Sequence, residues 1–189
     1  MTSHKESVSS EPTPVPLSQQ LRQATADQHR HLDAGLCYVV GPELGAQRYA
    51  NLLAAMFGFY VPFEDSLARW QMTPQLQHLP FIRRGGLLAR DLHARGMALD
   101  AVHTCTDTPD LATIDHVAGA IYVVEGACLG GQVIARAVRQ RLGIGPGDGS
   151  AFFTGSGPGT GARWNQVVAW LDYLGCGRVE GGSRSGWRA

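Results

Sequence analysis

The sequence predicts an all-α fold, a compact bundle of five or six helices. Three observations carry this. Apolar residues recur at helical spacing along most of the chain. No stretch alternates apolar and polar residues as a half-buried strand does. Clusters of Gly and Pro separate the periodic stretches. At 189 residues, one domain with a real core is the default.

Composition excludes several classes. Sixteen basic residues balance sixteen acidic ones and the net charge is zero, so nothing global points to nucleic acid or a lipid surface. Cys37, Cys105, Cys128 and Cys176 form no CxxC pair, and their scatter suits reduced thiols in a cytoplasmic protein. The sequence shows no uninterrupted apolar run of the length a membrane span needs. The N-terminal residues lack the apolar core of a secretory signal.

Residues 1–16, rich in Ser, Pro, Glu and Thr, read as a disordered tail. The first helix is predicted from Leu17 or Ser18 to Leu36, with Ser18 as its N-cap. With Leu21 at zero and 100° per residue, Leu32 falls near ~20°, Leu36 near ~60°, His29 near ~80° and His31 near ~280°. His29 therefore aims at the interior and His31 does not. A lone histidine at the edge of an apolar face is more often a hydrogen-bonded core residue than a ligand. Arg22 by itself reads as a surface arginine. A break at Gly41-Pro42 and Gly45 leads to a long helix, Ala46 to Trp70, which Pro62 should kink or split. Its aromatic and aliphatic stripe needs no explanation beyond a core.

Phe81 to Arg95 reads as a further helix, weakened at Gly85-Gly86, whose arginines Arg83, Arg84, Arg90 and Arg95 suggest a solvated face. The next helix is predicted from Thr108 or Asp110, with Pro109 at its first position, to Leu142-Gly143. Residues 143–161 form a loop with Phe152 and Phe153 tucked onto the body. No Gly-Lys-Ser/Thr follows these glycines and no strand precedes them, which rules out a phosphate loop. A short helix, Arg163 to Leu174, closes a domain spanning 17–174. Residues 175–189 show no usable periodicity.

The long glycine helix is the odd element. Gly126, Gly130 and Gly131 lie in its middle, and each such glycine costs roughly 1 kcal/mol against alanine. Gly126 and Gly130 share a face. Close approach of another helix is the plainer account; the other is a surface for a flat ligand. His29 complements the second account. A histidine on one helix and bare backbone on another can sandwich a flat macrocycle, the imidazole holding its iron.

On these residues the chain resembles the heme oxygenases. LRQATADQH, Leu21 to His29, looks like the family's first-helix signature, with the axial ligand four residues after the threonine. YVVEGACLGGQVIAR, Tyr122 to Arg136, closely resembles the distal helix of bacterial, biliverdin-producing members. Tyr49, Leu52, Leu53, Gly58, Tyr60, Pro62 and Glu64 match the second helix, and GARW, Gly161 to Trp164, fits the start of the last ordered region. The resemblance spans about residues 17 to 174.

It implies heme as both cofactor and substrate, cleaved with O2 and electrons from an external donor, a reductase or ferredoxin, to biliverdin, carbon monoxide and ferrous iron. It implies His29 as iron ligand, Arg22 as a heme propionate contact and Gly126, Gly130 and Gly131 as the distal glycines that direct the chemistry. A bacteriophytochrome is one acceptor of biliverdin that such proteins serve. Ala127 stands where many animal-type members carry a carboxylate, and after Leu174 the family's later apolar helix has no counterpart. A non-catalytic heme carrier or sensor on the same fold is the alternative.

Overall fold

The computed structural model describes residues 15–79 and 81–181, with side chains to residue 176. Among these residues every regular element is helical and no strand occurs, an all-α bundle as expected. Its seven α-helices are α1 (Leu17–Ala24), α2 (Ala26–Val40), α3 (Ala46–Ala68), α4 (Gly85–Ala94), α5 (Ile114–Leu142), α6 (Ala151–Thr154) and α7 (Thr160–Gly181). Most of the predicted tail, and residues 182–189 of the predicted irregular end, lie outside the described residues.

The first predicted helix is two. Thr25 separates them with φ −101° and ψ 2°. Its hydroxyl donates to the Leu21 carbonyl (2.8 Å), a back-bond that competes with regular helix. The helical phase set at Leu21 therefore does not carry through to α2. Leu32, predicted on the inner stripe, is 57 % exposed, and His29 and His31 are both exposed. Ser18 is not the N-cap either. Pro16 holds that position, and the Ser18 N–H donates to Asp172 Oδ1 of α7 (2.9 Å). A carboxylate from another helix thus satisfies an orphan donor of α1.

Tyr49, Leu52, Leu53, Tyr60, Phe63 and Leu67 bury one face of α3. Proline does not split this helix, which runs through Pro62. Pro62 has no N–H for the carbonyl four residues earlier, that of Gly58. The Cys105 N–H supplies the bond instead (2.8 Å). The loop can come that close because residue 58 has no side chain; a Cβ there would lie 2.3 Å from the His103 carbonyl oxygen.

The basic helix begins at Gly85, after the glycine pair was expected to weaken it from within. Glu64 of α3 caps it, accepting from the Arg84 N–H (2.5 Å) and the Gly85 N–H (3.2 Å). The glycine helix starts at Ile114, later than predicted. Thr113 caps it, accepting from the His116 N–H (3.3 Å), and Gly143 ends it in the left-handed conformation (φ 71°). Phe152 and Phe153 are buried as expected, but within α6. Asp91 accepts from the first two N–H groups of α6, Ala151 (2.9 Å) and Phe152 (2.8 Å). The last helix, α7, runs on past Leu174 to Gly181. The four cysteines are free thiols.

Helix α5 touches α1, α2, α3, α6 and α7, which makes it the axis of the bundle. By length and mean hydropathy (1.5) it is the one described helix apolar enough to cross a membrane. It also packs against those five helices and carries a buried charge, Glu125, in its middle, while only 33 % of its most apolar stretch is buried.

Candidate functional site

The buried and open faces of α5 are cleanly divided. Val117, Ile121, Val124, Glu125, Gly131 and Val138 point into the bundle. On the other side Val123, Ala127, Gly130 and Val133 are exposed, with Gly126 half-buried beside them. Turning 100° per residue puts these five on one stripe. It carries no charged side chain, and Val123 and Val133 are each 54 % exposed. The strip is an exposed, uncharged patch on the central helix.

The three glycines have three different surroundings. Gly130 is open: a Cβ would meet nothing within 4 Å. At Gly126 a Cβ would touch the edge of the Trp164 indole at 3.4 Å. Gly131 faces the bundle, where a Cβ would lie 3.2 Å from the Phe153 carbonyl oxygen. The open stripe thus owns Gly126 and Gly130, while Gly131 lets α6 pack closely. Close packing accounts for Gly131, where α6 approaches, and Gly130 is left open to solvent.

Helix α2 packs against α5, so the histidine helix and the glycine helix are neighbours. His29 stands exposed, its Nδ1 3.6 Å from Asp33 Oδ2 one turn on. This is longer than a hydrogen bond, and among the described residues Nε2 has no hydrogen-bond partner. The nearby His31 is occupied differently, Nδ1 lying 2.9 Å from the Asp27 carbonyl. Arg22 is exposed in the last turn of α1, across the break at Thr25. A cleft of about 450 Å³ lies further along α5, against Phe59 and Phe63 of α3. It shares Val123 with the stripe, but neither His29 nor any of Gly126, Gly130 and Gly131 lines it. The candidate residues thus lie on two adjoining helices, outside that cleft.

These residues fit a flat macrocycle carrying a metal. The stripe offers apolar contact and uncovered backbone, and the neighbouring helix offers one imidazole. Among the described residues no group of three or more His, Cys, Asp or Glu could hold a bare ion. A metal bound through His29 would therefore bring its other ligands with it.

Behind the stripe lies a charge network that the sequence did not reveal. Glu125, 2 % exposed, accepts from Arg84 Nη2 through Oε2 (2.7 Å). Its Oε1 accepts from Arg163 Nη2 (2.8 Å) and Nε (3.2 Å). Arg84, expected on a solvated face, is 4 % exposed. It precedes α4 with φ −120° and ψ −7° and turns inward to Glu125, away from the solvated face that the run of arginines suggested. One signal was available: a carboxylate inside an apolar helix requires a cationic partner. Cys128 lies near this network, and burial pushes its thiol above the usual range.

Comparison with known proteins follows the same line. The heme oxygenase family model matches residues 15–179. A heme oxygenase of Xanthomonas campestris pv. campestris (strain 8004) is 33 % identical over 98 residues, 52 % of this chain and 57 % of that protein. The match thus spans a little over half the length of that relative.

Proposed function

The chain belongs to the heme oxygenase family, and from that premise we propose that it binds heme and cleaves it with O2 and electrons to biliverdin, carbon monoxide and ferrous iron. The observation that carries this reading is the pairing of an exposed imidazole on α2 with an uncharged, partly bare stripe on the adjoining α5. His29 is the iron ligand through Nε2, with Asp33 orienting the ring from its Nδ1 side. Arg22 offers a guanidinium to a heme propionate. Gly126 and Gly130 lay backbone against the other face and limit the space for a small gas. Heme supplies the iron that activates oxygen and the ring that is broken. Ala127 brings no carboxylate to the stripe, so ordered water delivers protons there.

The electron donor is external, a reductase or ferredoxin. The four free thiols fit a reducing cytoplasm. Biliverdin passes to an acceptor such as a bacteriophytochrome.

The test is a hemin titration followed by turnover under air with a reductant. Wild type is expected to form a Soret band that decays as biliverdin absorbance grows. His29→Ala is expected to change the resting spectrum and abolish turnover; an unchanged spectrum refutes the ligand assignment. Hemin binding without biliverdin would establish the carrier or sensor reading instead.

A further inference from the structure

Two consecutive residues of α7 meet two consecutive residues of α5. Arg163 pairs with Glu125 on the buried side, and the Trp164 indole lies against Gly126 at the edge of the open stripe. Trp164 also packs on Tyr122, one turn before Gly126, with ring centroids 5.5 Å apart. The carboxylate divides its oxygens, one to each arginine. Arg84 is itself held from α3, where Glu64 accepts its backbone N–H. A continuous chain of charge-assisted bonds therefore runs from α3 through Arg84, just before α4, and α5 to α7. It ends one residue before the aromatic ring that borders the glycines.

We propose that Glu125 is a positioning residue: its bridge to Arg84 and Arg163 fixes the register of α7 on α5 and so seats the Trp164 indole as the wall beside Gly126. The proposal rests on the reading of the stripe as the heme face. On that reading, the indole sets how far the macrocycle can shift along α5, and therefore which ring edge is attacked. Glu125 touches neither heme nor oxygen. It acts through Trp164.

Glu125→Gln keeps the shape and one acceptor oxygen while removing the charge that holds two guanidiniums. Trp164→Phe trims the wall and leaves the bridge intact. The first measurement needs no heme: fluorine NMR of fluorotryptophan-labelled protein, with the Trp164 signal assigned by its loss in Trp164→Phe. In Glu125→Gln that signal is expected to move or broaden while the signal of Trp70, which lies outside α7, holds. An unmoved Trp164 signal overturns the proposal, whatever the protein does with heme.

The second measurement uses hemin-loaded protein. Both variants are expected to keep the wild-type Soret position, since His29 is untouched. Both should broaden or split the carbon monoxide stretching band of the ferrous complex and yield mixed biliverdin isomers. The wild-type band and isomer in both variants would overturn it. Should Glu125→Gln fail to fold, Arg163→Gln, which removes the α7 end of the bridge, takes its place in both measurements with the same expected and overturning results. Wild type that binds no hemin refutes the heme reading itself and with it the role assigned to the wall, an outcome distinct from an unmoved Trp164 signal.

Discussion

Alanine placed at each glycine of α5 should give three different stability changes. All three positions are helical, so removing the glycine's backbone freedom favours the fold by about 0.5–1 kcal/mol. What differs is the space for a methyl group. At Gly130 it meets nothing within 4 Å, so the full gain should appear. At Gly126 it makes ordinary contact with Trp164 at 3.4 Å, and the gain should be similar or slightly larger. At Gly131 it presses on the Phe153 carbonyl at 3.2 Å. That carbonyl cannot retreat easily, because Phe153 is buried and Gln132 of α5 bonds the next carbonyl, that of Thr154 (2.6 Å). Overpacking of this kind costs about 1–3 kcal/mol, so Gly131→Ala should lose about 1 kcal/mol net. Urea denaturation of the heme-free protein measures all three. Hemin titration should then reverse the order: Gly130→Ala and Gly126→Ala bind less tightly, Gly131→Ala close to normally once folded. If Gly130→Ala destabilises, or binds hemin as wild type does, the open-stripe argument is refuted.

Other perturbations follow from the same geometry. Glu125→Ala removes the carboxylate that the buried Arg84 guanidinium and the part-buried Arg163 share and should destabilise by about 3–5 kcal/mol in denaturant melts. Gly58→Ala forces a Cβ to 2.3 Å from a carbonyl oxygen and should cost more than any α5 glycine change, seen as the largest drop in Tm of the set. Burial holds the Tyr49 and Tyr60 phenols above the ordinary value of 10.0, with nearby Asp91 adding to the shift at Tyr49 and Cys128 at Tyr60. A folded pKa that is raised contributes stability that is complete below pH 10 and lost as pH rises further. Each phenol should therefore remove up to about 1.4 kcal/mol per pH unit above that point, and Tyr60→Phe should flatten the loss.

The periodic parts of the chain were legible because burial there follows the helical period. Tyr49, Leu52, Leu53, Tyr60 and Phe63 are all core residues. The reading lost its way wherever a helix ended elsewhere than assumed. Thr25 interrupts the phase between Leu21 and His29, so angles taken across it misplace Leu32. Arg84, assigned to a solvated face from charge alone, lies just before α4 and is buried against Glu125. Likewise Thr108-Pro109 resembles a helix start, yet Thr113 provides the cap that bonds. At the candidate site, types and spacing brought His29, Gly126 and Gly130 forward. They could not separate Gly131 from the other two, because neighbouring residues of one helix point in different directions and only the partner helix says which direction is open. The Glu64–Arg84–Glu125–Arg163 chain joins residues far apart in sequence, and no local pattern encodes it.

The proline of α3 has a reach beyond its own helix. Having no donor, Pro62 leaves the Gly58 carbonyl available, and the segment carrying Cys105 docks there. The same loop is held at its other end, where the Leu111 carbonyl accepts from Arg69 and Trp70 (2.9 Å each). A gap in one helix's bonding ladder thus serves as the anchor for the segment that leads into the glycine helix. Positions 58, 62 and 105 consequently behave as a single mutational unit: restoring a donor at 62 would set helix and loop in competition for one oxygen, and changes at the three sites should not be additive.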